Sequence, residues 1–357
     1  MRFSVPVRLS FVDFLRFIAA SAVLFQHLFE VVAPAFFKPF LDLAPGVFGV
    51  VLFFLISGYI IPFSVRRGFS LGDFAVRRAF RIFPAYLLVL AAVIALGVLG
   101  VAPWRDALEL GGIPGLAANL FIVQDYFGLP AFLGVSWTLA IEFIWYAAFA
   151  FLMILFWGRY VVLLCILGSL GLMALAATSL VADVRLPLGR AGMLNAALFG
   201  YAAYMAHMGR VTNTQFRGAA VLFLGALAIS QWVSFGYFEH PNITLFNGLA
   251  GWLLAAALFL VFHQVQRLRE VSLFSNPFVL RLGESSYSLY LTHGPIMVLC
   301  ALVMDPLQLL VAVPVISVAL SLLLYRTVEL PGIAAGKLVA GHFPRPKPTS
   351  AFARAHR

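Results

Sequence analysis

Two residues near the N-terminus combine side-chain types and spacing that could do chemistry. Arg16 and His27 lie eleven positions apart in an apolar run. At about 100° per residue this spacing exceeds three full helical turns by only about 20°, so the side chains share one face, about 16 Å apart along the axis. An imidazole can serve as a general base and a guanidinium can bind anions. The structural alternatives are a snorkelling Arg16 and a His27 that only bonds a neighbouring helix.

Two carboxylates could serve this pair. Asp13 precedes Arg16 by three positions, a spacing that allows an ion pair on one helix. Glu142 is expected about 12 Å below the outer membrane surface, and His27 about 9 Å below it. A carboxylate beside an imidazole raises its basicity and fixes its tautomer. We therefore predict that Glu142 orients His27; the alternative is an ion pair that merely joins two helices.

A basic cluster follows the second apolar run of the chain. It contains Arg66, Arg67, Arg77, Arg78 and Arg81. Most such clusters only set the orientation of a membrane protein. Arg78 and Arg81, however, are three positions apart at a predicted helix start and would face the same way. Two guanidinium groups placed in this manner suit the binding of phosphate groups.

Four further residues are weaker candidates for an additional site. His293 falls mid-membrane in SSYSLYLTH, Glu329 ends the last apolar run in RTVELP, and Trp137 belongs to SWTLAIEFIWY. An exposed glutamate at the end of a span needs no special function. Ser57 precedes a glycine in FFLISGYI, and close packing of helices explains small residues there more readily than chemistry does.

Composition assigns all these residues to a membrane. Of the 357 residues, 63% are hydrophobic and 11% are charged, whereas soluble domains carry about 25% charged residues. The net charge of +10 comes from loops between apolar runs, which argues for membrane lipids and against nucleic acid as a partner. Cys165 and Cys300 lie within apolar runs, so they are expected to be packing residues, and no metal site is expected.

The hydropathy pattern predicts an all-α polytopic protein with ten spanning helices. The predicted spans are 9–33, 47–65, 81–101, 134–156, 160–181, 191–208, 217–236, 245–264, 285–304 and 307–325. The stretch 113–129 is broken by Gly and Pro, and is expected to be re-entrant or interfacial. This arrangement puts 20 of the 24 Lys and Arg residues on one side, which predicts that both termini are cytoplasmic. We expect a membrane domain over 1–330 and a basic, disordered tail over 331–357.

Six segments in this order resemble the bacterial membrane-bound acyltransferase family 3. They are FVDFLRFIAASAVLFQH with its Arg-x10-His spacing, FFLISGYI, RAFR followed by IFPAY, SWTLAIEFIWY, SSYSLYLTH and RTVELP. Each segment is weak alone, and together they cover nearly the whole chain. The family's Arg-x10-His falls on Arg16 and His27, and its Arg-x-x-Arg on Arg78 and Arg81. The chain resembles the standalone form, without a fused esterase-like domain.

The resemblance implies a function and a place in the cell. Such proteins use cytoplasmic acyl-CoA, often acetyl-CoA, to O-acylate a sugar or another hydroxyl compound in the bacterial cytoplasmic (inner) membrane. It implies that Arg78, Arg81 and Arg16 bind the coenzyme A phosphates. His27 would deprotonate the acceptor hydroxyl, with Glu142 stabilising its imidazolium. The expected acceptor is a cell-surface polysaccharide, a lipid-linked sugar or a related glycan.

A transporter or flippase of a polysaccharide precursor is the main alternative. Ten helices with buried charges also fit a secondary carrier. Against this alternative, the sequence has no paired hydropathy repeat and no matching Gly/Pro-broken helices in its two halves. A coenzyme A binding assay would distinguish an acyltransferase from a carrier, because a carrier of glycolipids is not expected to bind coenzyme A.

Overall fold

The computed structural model describes residues 9–65, 69–156, 159–240 and 243–343. Arg66, Arg67 and the end of the predicted tail lie outside the described residues. The described helices are α1 Ser10–Val32, α2 Lys38–Leu41, α3 Pro45–Val65, α4 Leu71–Val98, α5 Trp104–Leu120, α6 Ser136–Phe156, α7 Val161–Ala182, α8 Leu188–His207, α9 Asn213–Trp232, α10 Leu245–Gln264, α11 Gln266–Arg269, α12 Pro277–Glu284, α13 Ser286–Ala301, α14 Pro306–Leu324 and α15 Leu330–Ala340.

The helical, membrane-spanning class predicted from the sequence is confirmed. Within the described ranges, eight helical stretches are long and apolar enough to cross a membrane. The two remaining predicted spans coincide with α8 and with α13, which is 16 residues long. In the interior of a bilayer, backbone N–H and C=O groups need hydrogen-bond partners within the protein, and outside a closed β-barrel only helices supply them. The chain is therefore an all-α polytopic membrane protein.

Local signals in the sequence explain several helix ends. Thr212, Thr244 and Asp305 begin α9, α10 and α14, and each forms a capping box with the residue three positions later. These reciprocal bonds satisfy amide groups that the first helical turn leaves without partners. The stretch 113–129, expected to be re-entrant or interfacial, begins within α5, which bends at Gly112 immediately before it, where φ is 52°. This bend keeps α5 from forming one straight helix.

Glycines bring α3 and α8 into direct backbone contact. A Cβ atom added to Gly58 would lie 1.9 Å from the carbonyl oxygen of Ala197, and one added to Gly200 would lie 2.1 Å from that of Leu55. Both helices therefore need a residue without a side chain at the crossing. This explains Gly58 as the sequence predicted, and it leaves Ser57 facing another direction.

The C-terminal end of the membrane domain corrects one prediction. A π-helical turn over Tyr325–Glu329 joins α14 to α15, so residues 331–340, expected in the disordered tail, are helical. Helix α15 packs against α4, where Gly332 and Gly336 face Phe80 and Pro84. Helix α1 packs against α3, α12, α13 and α14. The site described below lies among α1, α3, α4, α6, α13 and α15.

Candidate active site

A cavity of about 350 Å³ opens between six helices and is lined by many cationic side chains. Its apolar wall comes mainly from α3, including Phe53 and Ile60. Its cationic residues are Arg16, Arg77, Arg78, Arg81 and Lys337. Arg16 and the arginines of α4 belong to the end of the bundle predicted to be cytoplasmic. The cavity therefore brings together the three arginines that the sequence assigned to donor binding.

Arg78 is held by aromatic faces and a hydroxyl group. Its guanidinium lies 5.4 Å from the ring centroid of Phe74 and 5.5 Å from that of Tyr146, and its Nη2 donates to Ser64 Oγ over 3.0 Å. Its Nε is buried, and it has no hydrogen-bond partner within the described part of the chain. Arg78 therefore has one N–H group that the protein leaves without an acceptor. Arg77, in contrast, donates a hydrogen bond to Asp73 over 2.9 Å.

Arg81 lies beside a carboxylate that the sequence analysis undervalued. Glu329 was expected to be exposed at the end of a span, but its side chain is completely buried. Its Oε2 accepts a hydrogen bond from Ser288 Oγ over 2.9 Å, and its Oε1 lies 3.9 Å from Arg81 Nη2. The π-helical turn ends at this residue. Glu329 is thus a buried counter-charge for the cavity arginines, and its charge also acts on Arg16.

Glu142 does not meet His27, which corrects the pairing predicted from their depths. Glu142 lines the cavity and accepts a short hydrogen bond from the hydroxyl of Tyr146, one turn later in α6. Its charge acts on Arg16 and Arg81. Equal depth was a weak argument because it does not say which way a side chain points around its helix axis. In the structure Glu142 belongs with the arginines.

The partner of His27 is His293. Nδ1 of His27 lies 3.0 Å from Nε2 of His293. The ring planes are within 13° of each other and the centroids are 5.2 Å apart. The two rings therefore meet edge to edge, and the line between the two nitrogen atoms lies close to both ring planes. His293 is buried, whereas His27 is partly exposed. The carboxylate whose charge acts on His27 is Glu30, one turn further along α1.

Tyr290 connects the cavity with the two histidines. Tyr290 lines the cavity, and its ring centroid lies 6.0 Å from that of His293. Its hydroxyl shares a hydrogen bond of 2.9 Å with Thr138 Oγ1, and its ring meets Phe53 edge-on. Tyr290 therefore connects the cavity that contains the arginines with the histidine pair, which is not part of the cavity lining.

The remaining sequence candidates occupy different positions. Asp13 lies close enough to Arg16 for its charge to act on the guanidinium, as the three-residue spacing predicted. Ser57 lines the cavity. Trp137 packs against the apolar core of the bundle. These placements bring Ser57 to the site and leave Trp137 with a packing role.

Sequence reasoning missed Lys337, Tyr146, Tyr290 and Thr138. Tyr146 could have been found, because it follows Glu142 by four positions and therefore shares its helix face. Lys337 was assigned to the tail, although Gly332 and Gly336 before it have the four-residue spacing of closely packed helices. No spacing within the sequence could have predicted that Tyr290 meets Thr138, because 152 positions separate them.

Comparison with known proteins decides the family. A family profile described as an acyltransferase domain (acyltransferase 3) matches residues 9–326. The chain belongs to the acyltransferase 3 family. It is 25% identical to Nodulation protein 10 of Rhizobium leguminosarum bv. viciae over 353 residues, covering 90% of this chain and 92% of that relative. It is 30% identical to Acyltransferase MdmB of Streptomyces mycarofaciens over 109 residues, covering 29% of this chain and 27% of that one.

Family membership establishes the class of chemistry. No solved structure matches the chain. The protein is a membrane-bound O-acyltransferase, as the sequence predicted, and not a carrier. The family match spans α1 to the π-helical turn, so it includes the cavity arginines of α4 and both histidines. The donor, the acceptor and the role of each side chain are treated below.

Proposed function

We propose that this acyltransferase moves an acyl group, expected to be acetyl, from cytoplasmic acyl-CoA to a hydroxyl group of a cell-surface glycan or lipid-linked sugar. The observation that supports this proposal is that the cationic cavity and the histidine pair lie on either side of Tyr290. Tyr290 lines a cavity with five cationic side chains, and its ring contacts that of His293, which is the partner of His27. Such a site offers an anion-binding entrance at one end and a proton acceptor at the other.

The arginines suit the charged end of the donor. Coenzyme A carries phosphate groups at the end opposite its thioester, and guanidinium groups bind phosphate in a planar, two-pronged geometry. Arg78 has an unused buried Nε, and Lys337 extends the cationic wall at the exposed rim. A volume of about 350 Å³ falls in the range of small-molecule pockets. We assign it to the pantetheine arm and the acyl group, with the nucleotide outside the mouth.

His27 is assigned as the general base. In the proposed step, the acceptor hydroxyl gives its proton to His27 while its oxygen bonds to the thioester carbon. The carbon–sulfur bond breaks, and the departing thiolate takes the proton from the imidazolium to become the free thiol. Direct transfer needs no covalent enzyme intermediate, in contrast to a route through acyl-histidine. Rotation of the Tyr290 side chain away from its place between the cavity and His293 would let the thioester reach His27.

Glu142 is retained as a candidate catalytic residue with a different task from the one predicted. Its carboxylate lies in the cavity and is held by Tyr146. A fixed negative charge there balances the arginines and limits how far an anionic donor enters. The acceptor is assigned to the opposite end, because His27 is partly exposed and Glu30 beside it lies near the other end of α1.

The test uses the purified protein in lipid nanodiscs. Titration with coenzyme A should show saturable binding, and radiolabelled acetyl-CoA should label a glycan fraction prepared from cells that lack this protein. The Arg78→Ala variant should bind coenzyme A at least about tenfold more weakly, because it loses charge-assisted hydrogen bonds. Absence of both binding and labelling with acetyl-CoA and longer acyl-CoA thioesters would refute the proposal.

A further inference from the structure

The backbone of α13 determines which nitrogen of His293 carries its proton. Nδ1 of His293 lies 3.3 Å from the carbonyl oxygen of Leu289, one turn earlier in the helix. A carbonyl oxygen can only accept a hydrogen bond, so Nδ1 must donate. In a neutral imidazole only one nitrogen is protonated. Nε2 of His293 is therefore an acceptor with a free lone pair.

The tautomer of His293 determines that of His27. Nε2 of His293 faces Nδ1 of His27 at 3.0 Å, with the two rings nearly coplanar. Since Nε2 of His293 can only accept, Nδ1 of His27 must donate. The proton of a neutral His27 is then on Nδ1, and its lone pair is on Nε2. No hydrogen-bond partner of that nitrogen is found within the described ranges, and the side chain is partly exposed.

We infer that His293 is the positioning residue of this enzyme and that Nε2 of His27 is the nitrogen that takes the acceptor's proton. The inference rests on the proposed role of His27 as general base and adds which atom does the work. In Ser-His-Asp sites a carboxylate holds the tautomer of the base. Here a carbonyl oxygen and a second, neutral imidazole do so instead.

The arrangement also fits the charged step of the reaction. When Nε2 of His27 accepts the hydroxyl proton, Nδ1 keeps its own proton and continues to donate to His293. Transfer of the shared proton from Nδ1 of His27 to Nε2 of His293 would place the positive charge on a ring that is buried, whereas His27 is partly exposed and Glu30 lies one turn away. The positive charge therefore stays on His27, where the departing thiolate can remove it. His293 holds no proton that leaves and touches no reacting atom.

The tautomer can be measured without any activity. In protein labelled with ¹⁵N at its seven histidines, two-bond nitrogen–proton correlations distinguish an Nδ1–H ring from an Nε2–H ring. The signals of His27 are assigned by their loss in a His27→Gln variant. We expect His27 as the Nδ1–H tautomer at a pH where it is neutral. Detection of the Nε2–H tautomer would overturn the inference, whatever the protein acylates.

Kinetics of two variants test the positioning role. His293→Leu removes the acceptor for His27, so kcat should fall by about a hundredfold or more, with coenzyme A binding within about twofold of wild type. His293→Gln places an amide oxygen near the former Nε2, and we expect it to recover at least about tenfold of that loss. Equal losses in both variants, or an unchanged kcat in His293→Leu, would reject the role.

A measurement on the wild-type protein distinguishes failure of the proposed function from failure of the positioning role of His293. If wild-type protein transfers no acyl group, the proposed function fails, while the tautomer measurement still stands or falls on its own. If wild type is active and His293→Leu is equally active, only the positioning role fails. Gel filtration and coenzyme A titration of each variant show whether it is folded. Should His293→Leu not fold, the wild-type tautomer decides.

Discussion

The two ends of the site stabilise buried polar side chains in different ways. At the cavity end, formal charges balance one another: Arg77 with Asp73, and Arg81 with the buried Glu329. At the other end, His27 is held by a second imidazole, which is itself held by a backbone carbonyl. The first arrangement keeps fixed charge available for a ligand. The second keeps a lone pair available without adding net charge.

The difference agrees with the task that we propose for each end. Binding an anionic group requires positive charge that persists, and neighbouring carboxylates lower the cost of burying it. A general base must be neutral before the reaction and charged during it. A neutral hydrogen-bonded chain orients the base without committing it to the charged form. The comparison predicts that substitutions at the two ends affect different kinetic quantities.

The largest effect is expected at the neutral end. His27→Ala removes the proton acceptor, so kcat should fall by about 10³- to 10⁴-fold. Binding of coenzyme A should stay within about twofold, because His27 is not among the residues that line the cavity. Single-turnover measurements with acetyl-CoA give the rate, and titration gives the affinity. Retention of more than about a tenth of the wild-type rate would remove His27 from catalysis.

At the charged end, Arg81 and Glu329 allow affinity and stability to be separated. Arg81→Ala removes the guanidinium that lies 3.9 Å from the buried Glu329, so it should weaken coenzyme A binding by more than about tenfold and lower stability by about 3 kcal/mol. Adding Glu329→Gln should recover stability but not affinity. Thermal unfolding and coenzyme A titration of both variants test this.

Arg78→Ala is the matched control for that pair, because Arg78 faces aromatic rings and a hydroxyl group and has no carboxylate partner among the residues described. It should lose affinity with little loss of stability. If the double variant stays as unstable as Arg81→Ala, the charges of Arg81 and Glu329 are not coupled.

The sequence predicted one end of the site better than the other. Arg16, Arg78 and Arg81 were found because buried cations are rare and the three-residue spacing fixes a shared helix face. His27 and His293 were both singled out, but their contact joins helices 266 positions apart, and no periodicity carries such information. Glu142 was assigned to the wrong end because depth along a helix was known and rotation about its axis relative to other helices was not.

A smaller effect is expected from Glu142, and it shows to which end this residue belongs. Glu142→Gln should change coenzyme A affinity by about three- to tenfold, because it removes a charge from the cavity. The Nδ1–H tautomer of His27 should be unchanged, since His293 holds it. The ¹⁵N correlations and a titration measure both quantities. A changed tautomer with unchanged affinity would return Glu142 to the neutral end, as the sequence first predicted.

The smallest effect is expected at the rim of the cavity. Lys337 is exposed and is one of the cationic residues that line the cavity. Lys337→Ala should weaken coenzyme A binding by about two- to fivefold, and the difference should shrink at high salt, because exposed charges are screened. Arg217→Ala is the matched control: this residue is exposed, lies on the side predicted to be cytoplasmic and does not line the cavity. If both variants lose affinity equally, the effect is one of overall charge, and the cationic end of the site consists of Arg16 and the three arginines of α4.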